Sequence, residues 1–188
     1  MTALYRLIND FNPEGEAEIA DKALMCELLD TFGDHLLHRS CHVAHFTSSA
    51  FILTPDLSRC LMVYHNLYQA WTWSGGHADG DANLMAVAIR EAEEETGITG
   101  MTPISTQPLT LDILPVFAHY KRGCFVNAHL HLSVGYAFIG DPSIPLRIQA
   151  DENSAVRWID THTIPDTCNE AHMQPIYRKL LHRVQSLV

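Results

Sequence analysis

Glu91, Glu93, Glu94 and Glu95 crowd one short stretch of the chain. On a 3.6-residue repeat Glu91, Glu94 and Glu95 share one helix face. Stability alone gives no reason for this. Each of the like-charged pairs Glu91/Glu94 and Glu91/Glu95 costs about 0.2–0.5 kcal/mol, and negative charge near a helix C-terminus adds an unfavourable dipole contribution of roughly 0.3–1 kcal/mol. Arg90 offsets only part of that. Met85, Ala88, Ile89 and Ala92 form an adjacent apolar stripe, so the helix can pack on a core while its carboxylates line the edge of a cleft. Oxygen-rich clusters of this kind suit Mg²⁺ or Mn²⁺. A solvated acidic face would show the same glutamates, and the surrounding sequence has to decide between the two.

The helix that must carry these residues is expected over 83–96, with Asp81 or Asn83 as N-cap and Gly97 at the left-handed position past its end. A Gly75-Gly76 loop precedes it, and residues 71–73 read as a short strand leading into that loop. Upstream, 42–53 and 59–64 are β-rich runs around Thr54-Pro55-Asp56-Leu57-Ser58, the pattern of a hairpin. Downstream, 109–120 and 128–139 are strand-like runs around Lys121-Arg122-Gly123, a hairpin tip whose two cations solvate the turn. A short strand over 155–160 and a final helix over 169–184 follow. Between residues 16 and 37, Ile19, Ala20, Ala23, Leu24, Leu28 and Phe32 recur at helical spacing, giving one or two N-terminal helices. The expected division is an N-terminal helical extension over 1–40 and a main α/β domain over 41–188.

The segment GGHADGDANLMAVAIREAEEETGI, residues 75–98, closely resembles the signature box of the Nudix hydrolase superfamily, G-x5-E-x7-R-E-U-x-E-E-x-G-U with U aliphatic. Gly76, Arg90, Glu91, Glu94, Glu95, Gly97 and Ile98 fall on the pattern at its spacing, with Ala92 at the first U. The resemblance runs more loosely over 46–160. It implies a Nudix-like α/β/α sandwich with a mixed, curved sheet, and a divalent-metal-dependent hydrolase that splits a diphosphate bond in a nucleoside diphosphate linked to another moiety or a related small molecule. By similarity, Glu94 and Glu95 are principal ligands of Mg²⁺ or Mn²⁺, Glu91 a ligand directly or through water, and the Gly75 carbonyl a further oxygen. Arg90 orients carboxylates; the box does not decide the general base, for which Glu95 and Glu152 are the candidates. One position departs from the pattern: its first Glu falls on Ala82, with Asp79 and Asp81 close by. The Gly76-to-Arg90 distance is unchanged, which makes Asp81 a stand-in for the missing carboxylate.

His129 and His131 lie two apart in a strand and so on one face, where they bind phosphate or metal, or are simply satisfied by neighbouring polar groups. His77, beside Gly76, faces the same choice, and all three are candidate substrate-binding residues. Trp71 and Trp73 could stack on a base, although aromatics in a short strand more often belong to the core. A rival reading is an isopentenyl-diphosphate isomerase-like enzyme, because Trp71-Thr72-Trp73-Ser74-Gly75-Gly76-His77 is similar to its W-T-N-S-x-C-G-H stretch. The catalytic Cys of that motif falls on Gly75 here, which leaves the proton-transfer chemistry without a thiol. A third is a catalytically silent Nudix-like binding module, which would have no need to keep a self-repelling helix.

Composition narrows the remaining classes. A chain of 188 residues, 47% hydrophobic, is long enough for one substantial core. Its formal charge of −10, from 12 Lys and Arg against 22 Asp and Glu, argues against a nucleic acid polymer or an anionic membrane as partner and leaves a small-molecule diphosphate substrate. A homodimer is compatible with all of this. The five cysteines are odd in number and show no C-x-x-C pairing, the usage of reduced thiols. No apolar run has the length of a signal peptide or a membrane span, so a soluble cytoplasmic protein is expected.

Overall fold

All ten residues of the strand Ala44–Leu53 are buried, which requires a strand covered on both faces. In this computed structural model, which describes residues 2–121 and 123–187, that strand is the centre of the molecule. In chain order the elements are α1 (Ala3–Asn9), α2 (Gly15–Phe32), a 3₁₀ turn (Gly33–Leu37), β1 (Ala44–Leu53), β2 (Arg59–His65), β3 (Ala70–Thr72), β4 (Ser74–His77), α3 (Leu84–Thr96), β5 (Thr102–Pro103), β6 (Thr110–Val116), β7 (His119–Lys121), β8 (Cys124–Val126), β9 (His129–Ile139), β10 (Asn153–Asp160), α4 (Ile164–Thr167) and α5 (Gln174–Leu187). The sheet runs β10-β2-β1-β9-β5, with β3 on β2, β4 on β1 and β6 on β9. β1 and β9 are parallel from Ala44↔Leu130 to Leu53↔Ile139, and the other pairs are antiparallel.

Alternation along the strands sorts the core into two layers. Phe46, Ala50 and Ile52 of β1 and Leu132, Tyr136 and Phe138 of β9 pack with Leu84, Ala88 and Ala92 of α3. Phe51 and Leu53 face the other way, with Cys60, Met62 and Ala137, onto Tyr177, Leu180 and Val184 of α5. The result is the α/β/α sandwich with a mixed sheet, α3 on one face and α5 on the other.

The N-terminal helices share the first layer, since Leu4, Ile8, Met25 and Leu29 pack in the same cluster as β1 and α3. Polar bonds hold them as well. Glu18, 2% exposed, accepts from Arg183 at 2.5 and 2.9 Å, from Lys179 at 3.0 Å and from the Leu111 backbone N–H at 3.2 Å. Burial opposes the Glu18 charge, but the Arg183 bond, the Glu14 backbone N–H and Lys179 overcome it and hold the carboxyl down at about 2. This cluster ties α2, β6 and α5 together.

Several boundaries differ from those expected. Helix α1 is too short for its period to show, and the Thr2 hydroxyl caps it by accepting from the Tyr5 N–H. The expected strand 109–120 is broken into β6 and β7, because β6 ends at Val116 opposite His129, where its partner β9 begins, and β7 pairs with β8 instead. The last helix starts at Gln174 rather than near 169, after the separate turn α4. Of the Lys121-Arg122-Gly123 tip, Arg122 lies outside the described residues. All five cysteines are free, and among the described residues no helix is long and apolar enough to cross a membrane.

Candidate functional site

Helix α3 is fixed at both ends. The Asn83 side chain accepts from the Ala86 N–H at its start, and Gly97 adopts φ 75 at its end, a left-handed conformation that suits glycine. The Arg147 N–H satisfies the Thr96 carbonyl at 2.8 Å, and the Ser48 hydroxyl donates to the Leu84 carbonyl at 2.5 Å. With Leu84, Ala88 and Ala92 buried, the rotation of the helix is set, and Glu91 and Glu95 turn towards β4.

At β4 the two glycines have distinct uses. The Gly75 N–H donates to Glu95 Oε2 at 3.3 Å. A Cβ on Gly76 would run into the Glu91 carboxylate, so only glycine lets that side chain lie against the strand. A Cβ on Gly75 would lie 2.6 Å from both the Ser48 carbonyl oxygen and the Ser49 hydroxyl. The strand therefore has no room for the isomerase thiol that this position would have to carry.

Glu152, far away in sequence, joins the cluster through the loop before β10. Asn153 is buried and donates its side-chain N–H to the Glu95 carbonyl at 3.0 Å, while its Oδ1 accepts from the Gln149 N–H at 3.3 Å. The loop is thereby pinned to the C-terminal end of α3. Glu95 is 3% exposed. Burial, then the charges of Glu152 and Glu91, with a smaller contribution from Glu94, push its carboxyl up to about 8 against the Gly75 bond. Glu91 is raised too, by burial and by Glu94 and Glu152, with Arg90 opposing. Among the described residues Glu95 has no ion-pair partner. Among the described residues, three donor atoms lie within 4.8 Å of one another at His45, His77 and His131 and not at the glutamates.

Arg90 lies between two acids, 3.6 Å from Asp81 Oδ2 and 3.5 Å from Glu91 Oε1. Asp81 also accepts from the Asn83 N–H at 2.8 Å, and thus holds the cap residue of the helix while facing Arg90. Ala82 points elsewhere, lining a cavity of about 360 Å³ with Ala3 and Leu7 of α1 and with Met85.

His77, His129 and His131 are brought together around a fourth imidazole, His45. Ring centroids lie 5.1 Å apart for His45–His77, 5.1 Å for His45–His131, 4.7 Å for His45–His129 and 5.0 Å for His77–His131. The register accounts for this, since His45 is paired with His131 and Thr47 with His77. Gly76 turns its Cα towards Glu91, so its neighbour His77 points to the opposite face of the sheet. Trp73 is buried against Tyr177, and Trp71 packs edge-on to Tyr64 with Arg157 5.5 Å above its ring. Both tryptophans are engaged by the protein itself.

Sequence reasoning missed Asn153 and His45. Asn153 acts through one long-range bond that leaves no local pattern. His45 sits in an ordinary β-rich run, and its meaning depends on the parallel pairing with β9.

The NUDIX domain family model matches residues 44–183. A comparison with curated proteins finds no significant match. Among solved structures, the chain is similar to the NUDIX domain of Shewanella oneidensis NrtR complexed with ADP ribose, at 15% identity and TM-score 0.54 over 78% of this chain and 92% of that one. It is similar to a C. elegans Ap4A hydrolase at 16% identity and TM-score 0.51, covering 75% and 98%. It is also similar to the E. coli dihydroneopterin triphosphate pyrophosphohydrolase at 15% identity and TM-score 0.51, covering 73% and 94%. At these identities the likeness is one of fold.

Proposed function

The chain belongs to the NUDIX domain family as a pyrophosphohydrolase, and from that premise we propose that it hydrolyses, with a divalent cation, a diphosphate bond in a nucleoside diphosphate linked to another moiety or in a related small molecule. The observation that carries this reading is the burial of Glu95 against β4, with the loop that bears Glu152 tied to α3 by the Asn153 bond to the Glu95 carbonyl. A merely solvated helix face would neither gather a carboxylate from another element nor bury Glu95. The donor set is all oxygen, and Glu95 is a buried carboxyl whose ionised form calls for a positive partner. Both properties fit a hard cation such as Mg²⁺ or Mn²⁺.

Glu91, Glu94, Glu95 and the Gly75 carbonyl would hold the cation. When bound, it supplies charge neutralisation of the diphosphate and a lowered pKa for the attacking water. The remaining roles belong to the chain. Arg90, between Asp81 and Glu91, orients the Glu91 carboxylate. Asp81 takes the place of the acid missing at Ala82. Glu152 is only partly buried and is the base that accepts the proton as the water oxygen attacks phosphorus. The anhydride P–O bond breaks, and the leaving phosphate keeps the bonding pair.

The three structural neighbours differ in the compounds their names carry, so the shared fold does not select a substrate. A screen of dinucleotides, nucleotide sugars, ADP-ribose-like compounds and nucleoside triphosphates with Mg²⁺ or Mn²⁺ tests the proposal through release of phosphorylated products. Cleavage of at least one compound, abolished by chelator, is expected. Failure of purified, folded protein on every compound overturns the reading.

A further inference from the structure

The face of β4, β1 and β9 opposite α3 gathers His45, His77, His129 and His131. We propose that His45, His77 and His131 form a second metal site, selective for a borderline divalent cation of the zinc type and separate from the carboxylate cluster. One donor atom from each of the three lies within 4.8 Å of the others. Tetrahedral Zn–N bonds of about 2.0–2.1 Å place the nitrogens roughly 3.4 Å apart, which small side-chain rotations can reach.

His45 supplies an independent observation. It is 4% exposed, and its Nδ1 lies 3.3 Å from the Cys41 carbonyl oxygen. A carbonyl only accepts, so Nδ1 carries the hydrogen and Nε2 is left with a bare lone pair. Nε2 is buried and has no hydrogen-bond partner. An imidazole that gives one N–H to a backbone carbonyl and turns its other nitrogen into a cluster of histidines is arranged as a metal ligand with its tautomer fixed. His129 has the same kind of anchor, with Nδ1 2.8 Å from the Asn127 carbonyl, and stands beside the three as a fourth imidazole.

The ligand chemistry separates the two sites. Imidazole nitrogen selects Zn²⁺ and its borderline neighbours, whereas the glutamates select Mg²⁺ or Mn²⁺. Three protein ligands leave a fourth position for water or an oxygen of a bound compound. The proposal does not depend on the carboxylate site hydrolysing anything.

The test titrates chelator-stripped full-length protein with Zn²⁺ against a chromophoric competitor in excess Mg²⁺. A parallel titration with Co²⁺ is read by visible absorption. One tightly bound Zn²⁺ per chain is expected, with the intense cobalt bands of low-coordinate nitrogen ligation. Glu94→Gln and Glu95→Gln should retain both signals. His45→Ala and His131→Ala should weaken Zn²⁺ binding by at least about 100-fold, with circular dichroism confirming the fold. If His45→Ala does not fold, His131→Ala and the part-exposed His77→Ala decide the matter. No Zn²⁺ retained under Mg²⁺, undiminished binding in the histidine variants, or loss confined to the glutamate variants would each overturn the proposal. So would a wild-type protein that binds no Zn²⁺ together with a raised KM in His131→Ala, because the imidazoles would then serve substrate directly.

Discussion

Replacing Glu95 by Gln should separate the cost of the candidate site to folding from its use in catalysis. An ordinary glutamate titrates near 4.5, whereas Glu95 in the folded, metal-free protein is raised to about 8, first by burial and then by Glu152 and Glu91. A raised carboxyl binds its proton more tightly in the folded than in the unfolded state. Its contribution to stability is therefore complete below about pH 4.5 and is lost progressively until the pH has passed about 8. At about 1.4 kcal/mol per pH unit the loss is on the order of 3–5 kcal/mol, a large share of a typical domain stability of ~5–15 kcal/mol. Urea denaturation in chelator at pH 5, 7 and 9 measures it. The wild-type midpoint should fall across this range relative to Glu95→Gln, which is expected to be the more stable of the two at pH 9 and inactive with Mg²⁺. Adding Mg²⁺ at pH 9 should stabilise the wild type and not the variant. Parallel stability profiles for the two proteins, with Mg²⁺ stabilising them equally, would refute the reasoning.

Glu152→Gln should lower turnover by about 10²–10⁴-fold, the span expected for a lost general base, without changing the Mg²⁺ concentration needed for half-activation. Gly76→Ala should fold and lose at least about tenfold in activity, equivalent to ~1.4 kcal/mol, since its methyl would displace the Glu91 carboxylate. Asp81→Asn should reduce turnover clearly in the natural sequence and much less in an Ala82→Glu background, and equal losses in both backgrounds would remove Asp81 from its assigned place beside Arg90. Glu18→Gln removes the charge shared by Arg183 and Lys179, leaving Lys179 to Asp112 and Arg183 to the more exposed Glu14, and should cost about 1.5–3 kcal/mol in urea denaturation. The Glu18 carboxyl is held down at about 2, so the stability it contributes is present above about pH 4.5 and is lost as the pH falls towards 2.

Local rules made α3 legible, with Asn83 and Gly97 at its ends, an apolar stripe to bury and glutamates on the remaining face. The glycines before it and the β-rich runs of β1 and β9 were readable for the same reason, that each is a pattern within one segment. What the sequence could not display was pairing between segments. The parallel register of β1 with β9 places His45 against His131, and no spacing within either strand announces it. Likewise Asn153 holds the Glu152 loop to α3 through a single bond to the Glu95 carbonyl. Two boundaries follow the same division: the seven residues of α1 are too few to show a period, and β6 ends where its partner β9 begins.

Hydrolysis of a diphosphate at the α3 carboxylates is tested most directly by turning over a screened substrate in ¹⁸O-labelled water with wild-type protein and Glu95→Gln side by side, and weighing the products. The wild type should yield two phosphorylated products, one of them carrying a single labelled oxygen on phosphorus, and the variant should yield neither. Unlabelled products from the wild type, or equal cleavage by the variant, would contradict the account.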